Sequence, residues 1–113
     1  MSIDETDGAD GRSSIIRRVV SWDRAKAAVN LAKHRVDFEE AAAVLDDPLA
    51  LTVFDAAHSE QQDRWFTLGM VRGQLLAISH TYSEDIAGTA QVRLISARPA
   101  TRNERRQYEN EPR

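Results

Sequence analysis

The stretch RWFTLGMVRGQLLAISHTY, residues 64–82, decides the fold. Residues 64–71 and 74–82 are rich in aromatic, β-branched and aliphatic side chains, the composition of strands, and only Arg72-Gly73 separates them. A two-residue link of this kind turns a strand straight back on its neighbour, so the pair runs antiparallel. The same composition recurs upstream in LALTVF (49–54) and downstream in AQVRLISAR (90–98), so a small sheet grows outward from the hairpin in both directions. SEDIAGTA (83–90) supplies a longer, looser hairpin loop before the last strand.

Helices lie at both ends of this sheet. Asp23 caps a helix reaching to about His34, with Ala25, Ala28, Val29 and Ala32 as its apolar stripe. Lys26, Asn30 and Lys33 fall at i, i+4 and i+7 and share a sector of roughly 60°, which makes one basic face. DFEEAAAVLDDP follows, with Asp37 and Glu40 in capping-box spacing, a short helix from Phe38 to Leu45, and Pro48 marking its end. IIRRVVS (15–21) reads as a strand at a sheet edge. After Pro99, Thr101 and Glu104 again have capping-box spacing and open a helix through about Glu109. The order is β-α-α-β-β-β-β-α, an α+β domain with helices packed on a small antiparallel sheet. Arg93 alternates with Val92 and Leu94 and so points to the opposite face from them, with Arg64 and His80 as candidates for that same face.

A chain of 113 residues suits one core, and residues 15–113 are expected to form a single domain. Residues 1–14 are Gly-, Ser- and acid-rich, with Asp4, Glu5, Asp7 and Asp10 against Arg12, and are expected to be a disordered acidic tail. Without that tail the formal charge balances, 15 − 1 = 14 basic against 18 − 4 = 14 acidic. Within the balanced body, Arg93, Arg98, Arg102, Arg105 and Arg106 crowd the C-terminal part against Glu104, a local basic patch. No apolar run is long enough to cross a bilayer and no signal-peptide pattern opens the chain, so a cytoplasmic protein with no membrane partner is expected. The absence of cysteine excludes disulfides, thiolate nucleophiles and Cys-based zinc sites.

DAAHSEQQDRW (55–65) holds the densest set of reactive residue types. A serine hydrolase is disfavoured, because His58 and Ser59 are chain neighbours whose side chains diverge and no G-x-S-x-G elbow exists. His34, His58 and His80 show no metal-ligand spacing, and Gly69, Gly73 and Gly88 are isolated rather than gathered in a phosphate-cradling loop, so neither metal nor cofactor is expected. Metal-free RNA cleavage needs a base for the ribose 2′-hydroxyl, an acid for the leaving 5′-oxygen and cations for the developing phosphorane charge. Glu60 or His58 can accept the proton, Lys33 or His80 can donate or stabilise, and Arg64, Arg93 and Arg98 can hold phosphate. The same inventory suits a non-catalytic nucleic-acid-binding sheet, and residue type does not separate the two.

The order of the blocks says more. W-D-x-x-K-x-x-x-N-x-x-K-H (22–34), F-E-E-A (38–41), D-P (47–48), H-S-E (58–60) and I-S-A-R-x-A-T-x-x-E-R-x-x-Y (95–108) occur in sequence, and over about residues 16 to 109 the chain resembles the BrnT family, the toxin half of a bacterial type II toxin–antitoxin pair. The resemblance implies a RelE-like fold and an endoribonuclease that cleaves RNA and inhibits translation and growth. It further implies neutralisation by a BrnA-like ribbon-helix-helix antitoxin in a 2:2 heterotetramer, with operator DNA contacted only through the antitoxin. Positions in the matching stretches, taken with DAAHSEQQDRW (55–65) around the fourth block and RLISAR (93–98) leading into the last, are Lys26, Asn30, Lys33 and His34, then His58, Ser59, Glu60 and Arg64, then Arg93, Ser96 and Arg98. Of these, Glu60 is expected as the base, Lys33 as acid or charge stabiliser, and Arg64, Arg93 and Arg98 as phosphate ligands. His58 and His80 are second candidates for proton transfer, and Lys26 and Asn30 join Arg98 in holding RNA. The alternative from another class is a toxin-like partner without nuclease activity that binds an antitoxin and tunes its DNA binding. The tail before Ile15 and the SEDIAGTA loop are both longer than the family pattern requires.

Overall fold

A computed structural model describes residues 17–112; the acidic tail expected over 1–14 lies outside the described residues. The chain runs through β1 (Arg18–Trp22), α1 (Arg24–His34), α2 (Phe38–Ala41), a 3-10 turn at Ala42–Asp46, β2 (Leu51–Phe54), a second 3-10 turn at Ala56–His58, β3 (Trp65–Val71), β4 (Gln74–His80), β5 (Ser83–Glu84), β6 (Ala90–Pro99) and α3 (Arg102–Asn110). At the β3–β4 turn Arg72 and Gly73 both take left-handed backbone, φ 52° and 80°. Two successive positive φ values give the turn whose twist matches that of the paired strands, which closes the hairpin with Val71 opposite Gln74.

Two features depart from the expected order. The sheet is mixed rather than antiparallel: its path is β1-β6-β4-β3-β2, and β1 runs parallel to β6 from Arg18 opposite Ala90 to Trp22 opposite Leu94. A parallel pairing needs a long crossover, and everything between β1 and β6 serves as one. The SEDIAGTA segment also contains a short strand, β5, paired with the start of β6, so five strands rather than four follow the first two helices. The helix expected from Phe38 to Leu45 is α-helical only to Ala41 and tightens to 3-10 geometry through Asp46. Local capping follows the sequence: Asp23 accepts from the Lys26 N–H, and Thr101 with Glu104 forms a complete capping box.

Each face of the sheet is covered differently. Against one face α1, α2 and the first 3-10 turn bury Val36, Phe38, Ala41 and Val44 on Leu76, Ile78, Val92 and Leu94. Trp22 meets Phe38 edge-on at 6.1 Å between ring centroids. Val44 comes so close to β3 that a Cβ on Gly69 would stand 2.6 Å from Val44 Cγ1, so only glycine fits there. On the other face α3 covers one end alone, with Tyr108 packed against Leu68, Leu75 and Ala77. Tyr108 donates to Asp47 at 2.5 Å, and the same carboxylate oxygen accepts from the Met70 N–H at 2.7 Å, tying the helix to the part of β3 beyond its pairing with β2.

Candidate functional site: the open sheet face and its loop

The part of the second face that α3 leaves uncovered carries the polar residues. Strand register puts them in rows. Phe66, Ser79 and Ser96 lie opposite one another on β3, β4 and β6. In the next row Arg93 pairs with Ser21 on one side and with Thr81 on the other, where the Thr81 N–H donates to the Arg93 carbonyl and the Arg93 N–H to Thr81 Oγ1. Arg64 precedes Trp65 and extends the ladder through the Asp55 N–H to Arg64 carbonyl bond, so alternation brings its side chain to this face. Arg64 and Arg93 are then two strand spacings apart, about 10 Å.

His80 is placed elsewhere. It stands opposite Trp65 on β3 and, across the bulge that leaves Ile95 unpaired, opposite Leu94 on β6; it therefore belongs to the helix-covered face, not to the face of Arg93. The side chain is buried, its Nε2 bonded to Thr67 Oγ1 at 2.7 Å and its Nδ1 to the Thr81 carbonyl at 3.0 Å. The pair continues to Thr52 through a 2.8 Å hydroxyl contact. Burial holds the imidazole below its ordinary range, only partly offset by the bond to Thr81.

The basic face of α1 also divides. Asn30 is buried: its amide donates to the carbonyls of Val36 (3.0 Å) and Ala97 (2.8 Å), and its oxygen accepts from the Ala97 N–H (3.0 Å). β1 has ended by this point, so one side chain supplies the pairing that the edge of β6 lacks. Lys26, Lys33 and His34 line a groove of about 320 Å³ with Val29, Ile95 and Ser96, and Asn30 borders it. Ser96 belongs both to this groove and to the Phe66-Ser79-Ser96 row, so the groove borders the open face along the β6 edge.

On the opposite flank, the β2–β3 loop forms a cleft of about 570 Å³ lined by Ala57, His58, Glu60, Gln61, Gln62 and Arg64. Ser59 bonds to the loop itself. Its hydroxyl donates to the Asp55 carbonyl at 2.6 Å and accepts from the Arg64 N–H at 3.0 Å, which pins the two ends of the loop together. Arg64 Nε is buried and has no hydrogen-bond partner among the described residues. Glu60 is exposed beside it.

Arg98 is committed to structure. Its guanidinium forms a two-pronged ion pair with Glu104, at 2.8 and 2.9 Å, and lies 5.8 Å over the Phe66 ring. That bond holds the Glu104 carboxyl below its usual range and raises the Arg98 guanidinium. Sequence reasoning missed two members of the site. Among the described residues Phe66 is the only aromatic ring on the polar row, and Asp55 bonds His58 Nδ1 at 2.9 Å; its signal is the D-x-x-H spacing that one turn of helix brings together.

Fold and site together define a small α+β domain with a mixed six-stranded sheet, one face of which presents cations between two flanking clefts. A search of curated proteins returned no match. The family model for BrnT, the ribonuclease toxin of type II toxin–antitoxin systems, matches residues 22–104, well over half of the chain. The chain belongs to the BrnT family, whose place in a toxin–antitoxin system implies an antitoxin partner. Among the described residues no helix is long and apolar enough to cross a membrane, and no three His, Asp or Glu side chains gather as metal ligands would.

Proposed function

We propose that this protein is a metal-independent endoribonuclease toxin that inhibits translation and growth and is neutralised by a BrnA-like ribbon-helix-helix antitoxin, in a 2:2 complex that reaches operator DNA through the antitoxin. The observation that carries the nuclease reading is the cleft in which His58, Glu60 and Arg64 stand together at the rim of the face bearing Arg93. A base, a second proton-transfer group and two guanidinium groups are what 2′-hydroxyl attack on a phosphodiester requires. The unpartnered Arg64 Nε supports a phosphate there, because a buried donor without an acceptor is costly until an anion arrives. Phe66, half-buried in the row next to Arg93 with Arg98 over its ring, leaves a base only the part of the ring that this contact does not cover.

Lys26 and Lys33 extend the cationic track along the β6 edge and hold RNA backbone rather than the reacting phosphate. His80, Asn30 and Arg98 are assigned structural roles, since each already spends its polar atoms on partners within the fold. Expressing this chain alone should arrest growth, and co-expression of its antitoxin should rescue it. Harmless expression combined with tight antitoxin binding would overturn the nuclease reading in favour of a scaffold that tunes antitoxin–DNA binding.

A further inference from the structure

The β2–β3 loop does more than carry His58; it fixes which nitrogen of the ring is available. Asp55 Oδ2 lies 2.9 Å from His58 Nδ1, and the Asp55 side chain does not cap the backbone of the 3-10 turn it precedes. An ionised carboxylate only accepts hydrogen bonds, so this contact requires the proton on Nδ1. In the neutral ring Nε2 then carries the lone pair, on a side chain that is 68% exposed while that of Asp55 is only 22% exposed. The orienting carboxylate is tucked in and the imidazole reaches out into the cleft that also holds Glu60 and Arg64. Ser59 fixes both ends of this arrangement, through the Asp55 carbonyl and the Arg64 N–H, so the carboxylate, the imidazole and the guanidinium belong to one short, cross-tied loop.

We infer that Asp55 is a positioning residue and that the Asp55–His58 pair, rather than Glu60, supplies the general base of the ribonuclease reaction. This deepens the proposed function and rests on it. The ribose 2′-hydroxyl gives its proton to His58 Nε2, and the 2′-oxygen bonds to phosphorus. The bond from phosphorus to the 5′-oxygen breaks, that oxygen takes a proton from solvent water, and His58 later returns its proton to solvent. The products are a 2′,3′-cyclic phosphate and a 5′-hydroxyl end. Asp55 acts twice: it holds the tautomer with Nε2 free, and its charge faces the imidazolium that forms as the proton transfers. Glu60, exposed on the same loop, then shapes the cleft and its charge without being needed as the base.

The test uses the full-length protein and reads the ring directly. In long-range ¹⁵N–¹H correlation spectra recorded in alkaline buffer, His58 should be the Nδ1–H tautomer in the wild type and should revert towards Nε2–H, the form free histidine favours, in Asp55→Ala. On an RNA substrate Asp55→Ala should lower kcat by about 10- to 100-fold, part of the roughly 100- to 10,000-fold that a positioned general base contributes, with KM unchanged. In a His58→Ala background the same change should cost nothing more, because the two residues act as a unit. A wild-type His58 in the Nε2–H form, or an Asp55→Ala variant with parental kcat, overturns the assignment. A Glu60→Gln variant that loses more activity than His58→Ala overturns the choice of base. If the wild type cuts no RNA, the nuclease reading fails and the base assignment with it, while the tautomer measurement still decides whether Asp55 positions the ring.

Discussion

Replacing Asn30 with alanine separates the two roles that a polar residue on a basic helix face can have. The structure gives Asn30 three hydrogen bonds to backbone, two donated to Val36 and Ala97 and one accepted from Ala97. The residue is 5% exposed, so water cannot take over these partners. At about 1 kcal/mol net for each bond, Asn30→Ala should cost about 3 kcal/mol. That is a large share of the roughly 5–15 kcal/mol that holds a domain of ordinary stability. For a domain of this size each kcal/mol moves Tm by about 4–8 °C, so the melting temperature should fall by about 12–24 °C. Asn30→Asp should be at least as damaging, because it keeps the acceptor for the Ala97 N–H but turns a carboxylate oxygen onto two carbonyls. Thermal and urea unfolding followed by circular dichroism measure the loss, and RNA cleavage at a temperature where the variant stays folded should remain near the parental rate. An Asn30→Ala protein that melts within a few degrees of the parent yet no longer binds RNA would refute the reasoning and restore Asn30 as an RNA contact.

The packing and the charges set further outcomes. Gly69→Ala should destabilise by about 1–3 kcal/mol through the clash with Val44, measured by urea midpoint; a stabilised variant, as a glycine removed from an open strand would give, contradicts the close approach. Because burial lowers His80, the unfolded chain binds its proton first, so stability should be full above pH 6.5 and decline on acidification below it. Glu104, lowered chiefly by its bond to Arg98, should add a second loss beginning below pH 4.5; urea midpoints across this range check both, and a protein that gains stability as the pH falls through 6.5 contradicts the first. Arg93→Ala should weaken RNA binding and flatten its salt dependence by about 0.7 in slope, the share of one single-strand phosphate contact. Arg98→Ala should leave that slope unchanged and instead cost about 1 kcal/mol of stability, a figure kept small by solvent screening of the Glu104 pair.

What could be read from the sequence was whatever a few neighbouring residues decide. Arg72-Gly73 dictates a hairpin and Thr101 with Glu104 a helix start, because each signal and its consequence lie within one turn. The parallel pairing of β1 with β6 has no such local cause; it joins strands separated by the rest of the domain, and neither strand's residues state the direction of the partner. His80 was ambiguous for a related reason. LLAIS is apolar or small on both faces of β4, so alternation had no reference until the register with Trp65 supplied one. In α1 the spacing of Lys26, Asn30 and Lys33 is right, but periodicity does not say which polar member of a stripe turns to a strand edge; the Ala97 backbone, on the edge of β6 that β1 does not reach, decides that. Arg98 and Glu104 meet across a strand, a turn and the first turn of a helix, a contact that block order carries without showing what it does.

The central claim is that the His58–Glu60–Arg64 cleft cuts RNA by 2′-hydroxyl attack without a metal. Incubating the purified protein with RNA in excess EDTA and determining the chemistry of the new ends tests it most directly. The account predicts 2′,3′-cyclic phosphate and 5′-hydroxyl ends, formed at the same rate with and without chelator and lost in Arg64→Ala. Cleavage abolished by EDTA, or ends bearing a 5′-phosphate, would contradict it.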